Sequence, residues 1–268
     1  MQIKIKTIKI RRPAVAGNFY PENKTELEKQ IETFLNTAKT LEIKPKALIV
    51  PHAGYIYSGS VAATGFKQLE NLENQKQNFE KRRWKVILLG PSHYYPFAGL
   101  CFADYDFWET PLGKIRTIKP KISENIFEFT EAHEPEHCLE VQLPFLQKTL
   151  LEFSILPLLV GEIDPDAAAE ELLPYFDESV ILVVSSDLSH YHSYEKAKAI
   201  DNVANKAIPN IDLDLAKKIE ACGKIPILIA LHIAKKLGWK GRFLDYKTSG
   251  DTGGPRDRVV GYGAYVFS

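Results

Sequence analysis

VILVVSSDLSH, residues 180–190, decides the fold class. Its first five residues are all branched and apolar, the pattern of a strand buried on both faces. It then switches abruptly to polar residues. KALIV at 46–50, KVILLG at 85–90 and SILPLLV at 154–160 are built the same way. Between these runs lie segments of helical periodicity. Residues 24–39 carry Leu27, Ile31, Phe34 and Leu35 on one face, and 59–70, 139–151, 165–175, 195–207 and 226–237 read similarly. Asp164 before Pro165 predicts a helix start, with Asp as N-cap and Pro at the first helical position. Strands alternating with helices predict an α/β fold: a central, mostly parallel or mixed sheet flanked by helices. With no linker or internal repeat, residues 1–268 are expected to form a single domain. The polar stretch 70–83 reads as a solvated helix end or loop. Residues 240–268 hold six of the sixteen glycines and predict two strands flanking a Gly-rich loop.

Composition narrows the function classes without choosing one. The 268 residues are 45% hydrophobic and 25% charged, enough apolar material for a sizeable core. Thirty-four basic side chains balance thirty-four acidic ones, so no nucleic-acid or membrane-surface partner is expected. Cys101, Cys138 and Cys222 show no CxxC spacing and suit a reducing compartment. No apolar run reaches the roughly 18 residues of a membrane span. The basic-apolar alternation of MQIKIKTIKIRR lacks the core of a signal peptide. A soluble, cytoplasmic protein is the expectation.

The chemistry is concentrated where three buried strands end. KALIV runs into Pro51-His52-Ala53-Gly54-Tyr55, KVILLG into Pro91-Ser92-His93, and VILVVSS into Asp187-Leu188-Ser189-His190. Ligands of open α/β sheets bind beyond the carboxyl ends of strands, so these groups could share one crevice. Singly, each His is more often a turn or packing residue, and Asp187 reads equally well as the N-cap of a short helix from Leu188. Their repetition favours a shared polar site. Imidazole suits Fe, Zn and Cu, and His also moves protons near neutral pH.

Other motifs are weaker. His133-Glu134-Pro135-Glu136-His137 matches H-E-x-x-H, but Pro135 breaks the helix that a zinc protease needs. Pro135 instead reads as the start of a new helix on which His137 and Glu140 project together. The loop Thr248–Gly254 lacks a P-loop ending and reads as a surface turn, with Asp251 as an acidic ligand in second place. No G-x-S-x-G elbow supports a serine hydrolase. All three cysteines read as buried thiols.

As an ordered set these motifs resemble the Memo family. They are Arg12–Pro21, Pro51–Tyr55, Gly90–His93, Glu136–Pro144, Ser185–His190 and Val260–Tyr262, and the similarity runs from Arg12 to Tyr265. The resemblance implies a fold similar to class III extradiol dioxygenases, in which two His and a carboxylate hold a non-haem iron. By motif, His52 and His93 match the metal-binding positions. His190 matches the acid/base His, with Asp187 beside it, and Tyr55, Ser92, His137 and Glu140 fall to the pocket. Animal Memo supplies a Cys from a segment near the C-terminus. Tyr246–Thr252 contains none, which leaves two expectations: Asp251 as the third ligand, or an incomplete site. The expected cofactor is a divalent metal, Fe(II) first and Cu or Zn as alternatives. The implied function is a metal-dependent oxidoreductase of unknown substrate. Its alternatives are a non-catalytic protein binding a small molecule or peptide, and a metal-dependent hydrolase. Prokaryotic relatives also imply association with a radical-SAM protein and its small companion.

Overall fold

Each of the four apolar runs becomes a central strand. The computed structural model describes residues 7–74 and 83–268, so most of the polar stretch 70–83 and the first six residues lie outside it. The described strands are β1 (Ile10–Arg11), β2 (Ala47–Val50), β3 (Trp84–Pro91), β4 (Leu100–Phe102), β5 (Phe107–Thr110), β6 (Gly113–Thr117), β7 (Ile126–Glu128), β8 (Phe153–Val160), β9 (Val180–Ser185), β10 (His190–His192), β11 (Gly241–Thr248) and β12 (Val259–Phe267). The helices are α1 (Lys24–Thr37), α2 (Tyr55–Phe66), α3 (Glu70–Asn74), α4 (Thr130–His133), α5 (Leu143–Thr149), α6 (Pro165–Leu172), α7 (Tyr194–Ala207), α8 (Leu213–Ala216), α9 (Lys224–Lys236) and α10 (Ser249–Thr252).

These strands form one mixed sheet, ordered β1-β5-β6-β8-β3-β9-β2-β12-β10, with β11 also paired to β12 and β4 bridging β7 and β8. Its centre, β8-β3-β9-β2, is parallel, and β12 closes antiparallel on β2. In register, Val50 lies opposite Ser185 and Pro91 opposite Val160. The chain therefore leaves β2, β3 and β9 on the same side of the sheet.

Alternate residues of the central strands enter opposite cores. Leu48, Val50, Leu88 and Val183 face Leu27, Ile31, Phe66 and Phe145 from α1, α2 and α5. Ile49, Leu89, Leu182 and Val184 face Leu172, Ile229 and Ile233 from α6 and α9. Each such side chain contributes roughly 1.5–3 kcal/mol on burial, which is why, beyond Lys85 and Ser154 near the starts of β3 and β8, these strands carry no polar residue until they end.

Asp164 caps α6 as its sequence predicts, accepting from the backbone N–H groups of Asp166 and Ala167 at 3.1 and 2.9 Å. The C-terminal pair of strands is also present, as β11 and β12. The expected helix from Pro135 is not. α4 stops at His133, and helical structure resumes only as a 3-10 turn at Glu140–Gln142 leading into α5. The intervening backbone turns its N–H groups onto the Glu136 carboxylate instead. His133 and His137 therefore share no helical face.

His133 is wholly buried. Its Nε2 lies 3.0 Å from the Cys101 carbonyl oxygen, so it donates, and Nδ1 has no hydrogen-bond partner among the described residues. Burial drives its pKa down to about 3. The unfolded His titrates near 6.5, so this group's stabilisation is full above that pH and is lost as pH falls towards about 3. His133→Gln can keep the donor without titrating. Between about pH 7 and pH 4.5, wild type should lose about 2–3 kcal/mol more stability than this variant in urea denaturation. Equal losses would assign the pH dependence elsewhere.

Candidate metal centre

Pro51 carries the chain out of β2, and His52 follows, buried at the carboxyl end of the sheet. Its Nδ1 is 2.9 Å from Ser185 Oγ. That hydroxyl gives its own proton to the Cys138 carbonyl at 2.6 Å and accepts from Gln142 Nε2 at 2.8 Å. Ser185 can therefore only accept from Nδ1–H, which leaves the lone pair of His52 on Nε2. Burial, then the neighbouring His93, pushes the His52 pKa down to about 3, so the ring is neutral.

His93 leaves β3 and meets His52 edge-on, with ring centroids 5.2 Å apart. Its Nδ1 lies 2.9 Å from Glu136 Oε1 and its backbone N–H donates to Oε2 at 2.8 Å. The same carboxylate accepts from the N–H groups of His137 and Cys138, at 2.9 and 3.0 Å. Burial alone would raise the Glu136 pKa. The hydrogen bonds from His93, Cys138 and the His93 backbone, with the charge of His93, outweigh it and hold the carboxyl at about 2. An ionised Glu136 fixes His93 Nδ1 as a donor, which leaves Nε2 as the ring atom available to a cation.

Cys222 supplies the third group. It precedes Gly223, where a Cβ would lie 2.6 Å from Ser186 Cβ and 2.7 Å from its Oγ. Only glycine lets the chain press this close to the end of β9. Cys222 Sγ accepts from Asp187 N at 3.3 Å and sits 3.3 Å from His52 Nε2. The ligand atoms of His52, His93 and Cys222 lie within 4.8 Å of one another. Gly223→Ala should displace the thiol and weaken divalent-metal binding about tenfold or more, the scale of losses around metal ligands. Unchanged affinity in a metal titration would show that this packing does not set the site.

Around this trio stand further sequence candidates. The His137 ring stacks on His93 at 4.7 Å and meets His52 edge-on at 5.3 Å. Its Nδ1 is 3.2 Å from Glu136 Oε1 but is not angled to hydrogen-bond it. Burial, then His52, lowers its pKa to about 4. Asp187 is no helix cap: Oδ1 accepts the backbone N–H of His52 at 2.8 Å, and burial pushes its pKa up. His190, half-buried on β10, acts electrostatically on both His52 and Asp187.

Three expected site residues, Asp251, Glu140 and Tyr55, sit differently. Asp251 caps α10, accepting from Thr248 N and Oγ1 at 2.9 Å and from the Tyr194 hydroxyl at 2.7 Å. It is in neither group of possible ligands among the described residues, whereas Cys222 stands with His52 and His93 in one of them. Glu140 does not project beside His137. Its carboxylate is buried against Arg11, the Ala14 and Val15 N–H groups and the Tyr20 hydroxyl. Tyr55 packs on Phe145 and donates to the Val141 carbonyl, which makes it a core residue. Ser92 holds the turn after β3 through the Tyr95 carbonyl and lines a cleft beside Cys222.

A second group, His93, Glu136 and Cys138, is equally close. It suits a cation less well, because Glu136 already accepts four N–H groups and Cys138 donates to the Pro91 carbonyl.

A protein-family model described as Memo-like protein matches residues 11–266, nearly the whole chain and all of the cluster. The chain belongs to the Memo-like family. Among curated relatives, a MEMO1 family protein of Aquifex aeolicus is 37% identical over 280 residues, covering 97% of this chain and 100% of the relative. Those of Saccharolobus solfataricus and Sulfolobus acidocaldarius are 34% and 36% identical, over 96% and 94% of this chain and 99% and 97% of theirs. In this Memo-like chain no helix of the described residues is long and apolar enough to cross a membrane.

Sequence reasoning missed Cys222, and no spacing signal ties it to His52, 170 residues away. The Cys-Gly pair ahead of α9 was the available hint, since a glycine at a helix start can mark close backbone packing.

Proposed function

We propose that this Memo-like chain is a metal-dependent oxidoreductase acting on a small molecule, with one divalent ion held by His52, His93 and Cys222. The observation carrying this reading is the convergence of three donors while both imidazole Nδ1 atoms are engaged elsewhere. Two imidazoles and a thiol fit Fe(II), Cu or Zn and do not fit Mg or Ca, which take oxygen ligands. Bound there, the ion would supply Lewis acidity and, as iron or copper, electron transfer.

The protein's own part is orientation and proton handling. Ser185 and Glu136 lock the two rings, and Asp187 fixes the His52 backbone. His190 carries the acid/base role at the edge of the crevice, with Asp187 as its electrostatic partner. His137, kept neutral by burial, accepts a hydrogen bond from a bound ligand without adding charge.

The test is anaerobic loading with Fe(II), Cu(II) or Zn(II) in separate samples, metal quantification, then oxygen uptake with catechol. Iron-dependent uptake, abolished in His190→Ala with metal retained, supports the oxidoreductase reading. Metal bound without uptake would favour a binding role for the same crevice. That outcome would leave the ligand set intact.

A further inference from the structure

A cleft of about 390 Å³ opens at the carboxyl ends of β3 and β8, and Cys222 forms part of its lining. Its size suits a small ligand. A larger groove of about 860 Å³ along β6 and β8 contains none of the clustered His or Cys side chains. The smaller cleft therefore adjoins the chemistry.

Much of its lining is apolar, and the aromatic part is firmly held. That aromatic part is Tyr95 and Phe97. Tyr95 packs edge-on against Phe129, and Phe97 packs against both Phe127 and Phe129. The Phe97 backbone is pressed onto Gly161, where a Cβ would fall 2.1 Å from the Phe97 carbonyl oxygen. The lining also includes Ile225 and Pro226, at the start of α9 just past the Cys222-Gly223 pair. The one cation on this lining is Lys224, half-buried and without an ion-pair partner among the described residues. Glu162, exposed on the lining, opposes a second negative charge.

We infer that this cleft is the substrate subsite and takes a flat, largely apolar molecule bearing one carboxylate. The ring lies against the apolar lining of Tyr95, Phe97, Ile225 and Pro226, the carboxylate pairs with Lys224, and the far end of the molecule reaches the Cys222 side. Rigid aromatic walls bind flat rings at little entropic cost, and a charge-assisted hydrogen bond favours a carboxylate over its neutral amide. This inference rests on the crevice being a small-molecule site and names the class of molecule.

The test is calorimetric titration of the full chain with benzoate and with uncharged benzamide, in metal-loaded and chelator-stripped samples. The stripped sample separates Lys224 from direct metal binding. Benzoate should bind about tenfold more tightly than benzamide in both samples, a preference that Lys224→Gln removes. Ile225→Trp should abolish binding of both while metal content stays at the wild-type level. Equal binding of the two probes, no binding of benzoate, or a preference surviving in Lys224→Gln would overturn the inference. The metal reading fails independently, through absence of metal from the loaded sample, whatever the probes do.

Discussion

Glu140→Ala is expected to lower stability by about 3–5 kcal/mol, the usual consequence of removing one partner from a buried ion pair. Arg11 and Glu140 are 2% and 0% exposed, and their closest atoms are 2.6 Å apart. Arg11 also donates to the carbonyls of His133 and Glu136, and its guanidinium lies 4.2 Å over Trp108. The carboxylate that balances it ties down Ala14, Val15 and Tyr20 as well. Without it, a buried guanidinium, two backbone donors and a hydroxyl lose their acceptor, so several desolvation penalties appear together. Chemical denaturation of wild type and variant measures this directly. A Glu140 that served the pocket, as its motif position implies, would instead show reduced ligand or metal binding at unchanged stability.

Glu136→Gln is expected to weaken divalent-metal binding by about 10–100-fold, the range for losing a partner that orients a metal-binding His. The carboxylate accepts from four donors. A Gln side chain has one acceptor oxygen, and its amide N–H would point at groups that are themselves donors. His93 would then lose both its fixed Nδ1–H tautomer and its ring orientation. Metal titration by competition with a chromophoric chelator reads the change. Wild-type affinity in Glu136→Gln would show that His93 needs no such support.

The sheet was legible because its central strands are buried on both faces. VILVV and KVILLG admit no polar interruption, and that continuity survives in one dimension. β1, β4, β7 and β10 were not legible: they have two or three residues each and are fixed by partners distant in sequence. His52 and His93 could be found because each follows its strand directly. Glu136 was visible only within a motif, since its role depends on backbone N–H groups that no sequence pattern displays. The misplacement of Glu140 has a local cause. A helix from Pro135 would set His137 and Glu140 on one face, whereas the chain folds around Glu136 and turns them apart. Asp251 was chosen for its carboxylate, but its nearest donors, Thr248 and Tyr194, occupy it.

The central claim is that His52, His93 and Cys222 hold one ion together. Anaerobic titration with Co(II), read by its thiolate charge-transfer absorption, tests it most directly. Wild type should saturate at about one equivalent with a sulfur-to-metal band, as a single His–His–Cys site requires. The band should vanish in Cys222→Ser, and binding itself should be lost in His52→Ala. A wild-type protein that binds no cobalt, or a thiolate band that persists in Cys222→Ser, would contradict the account.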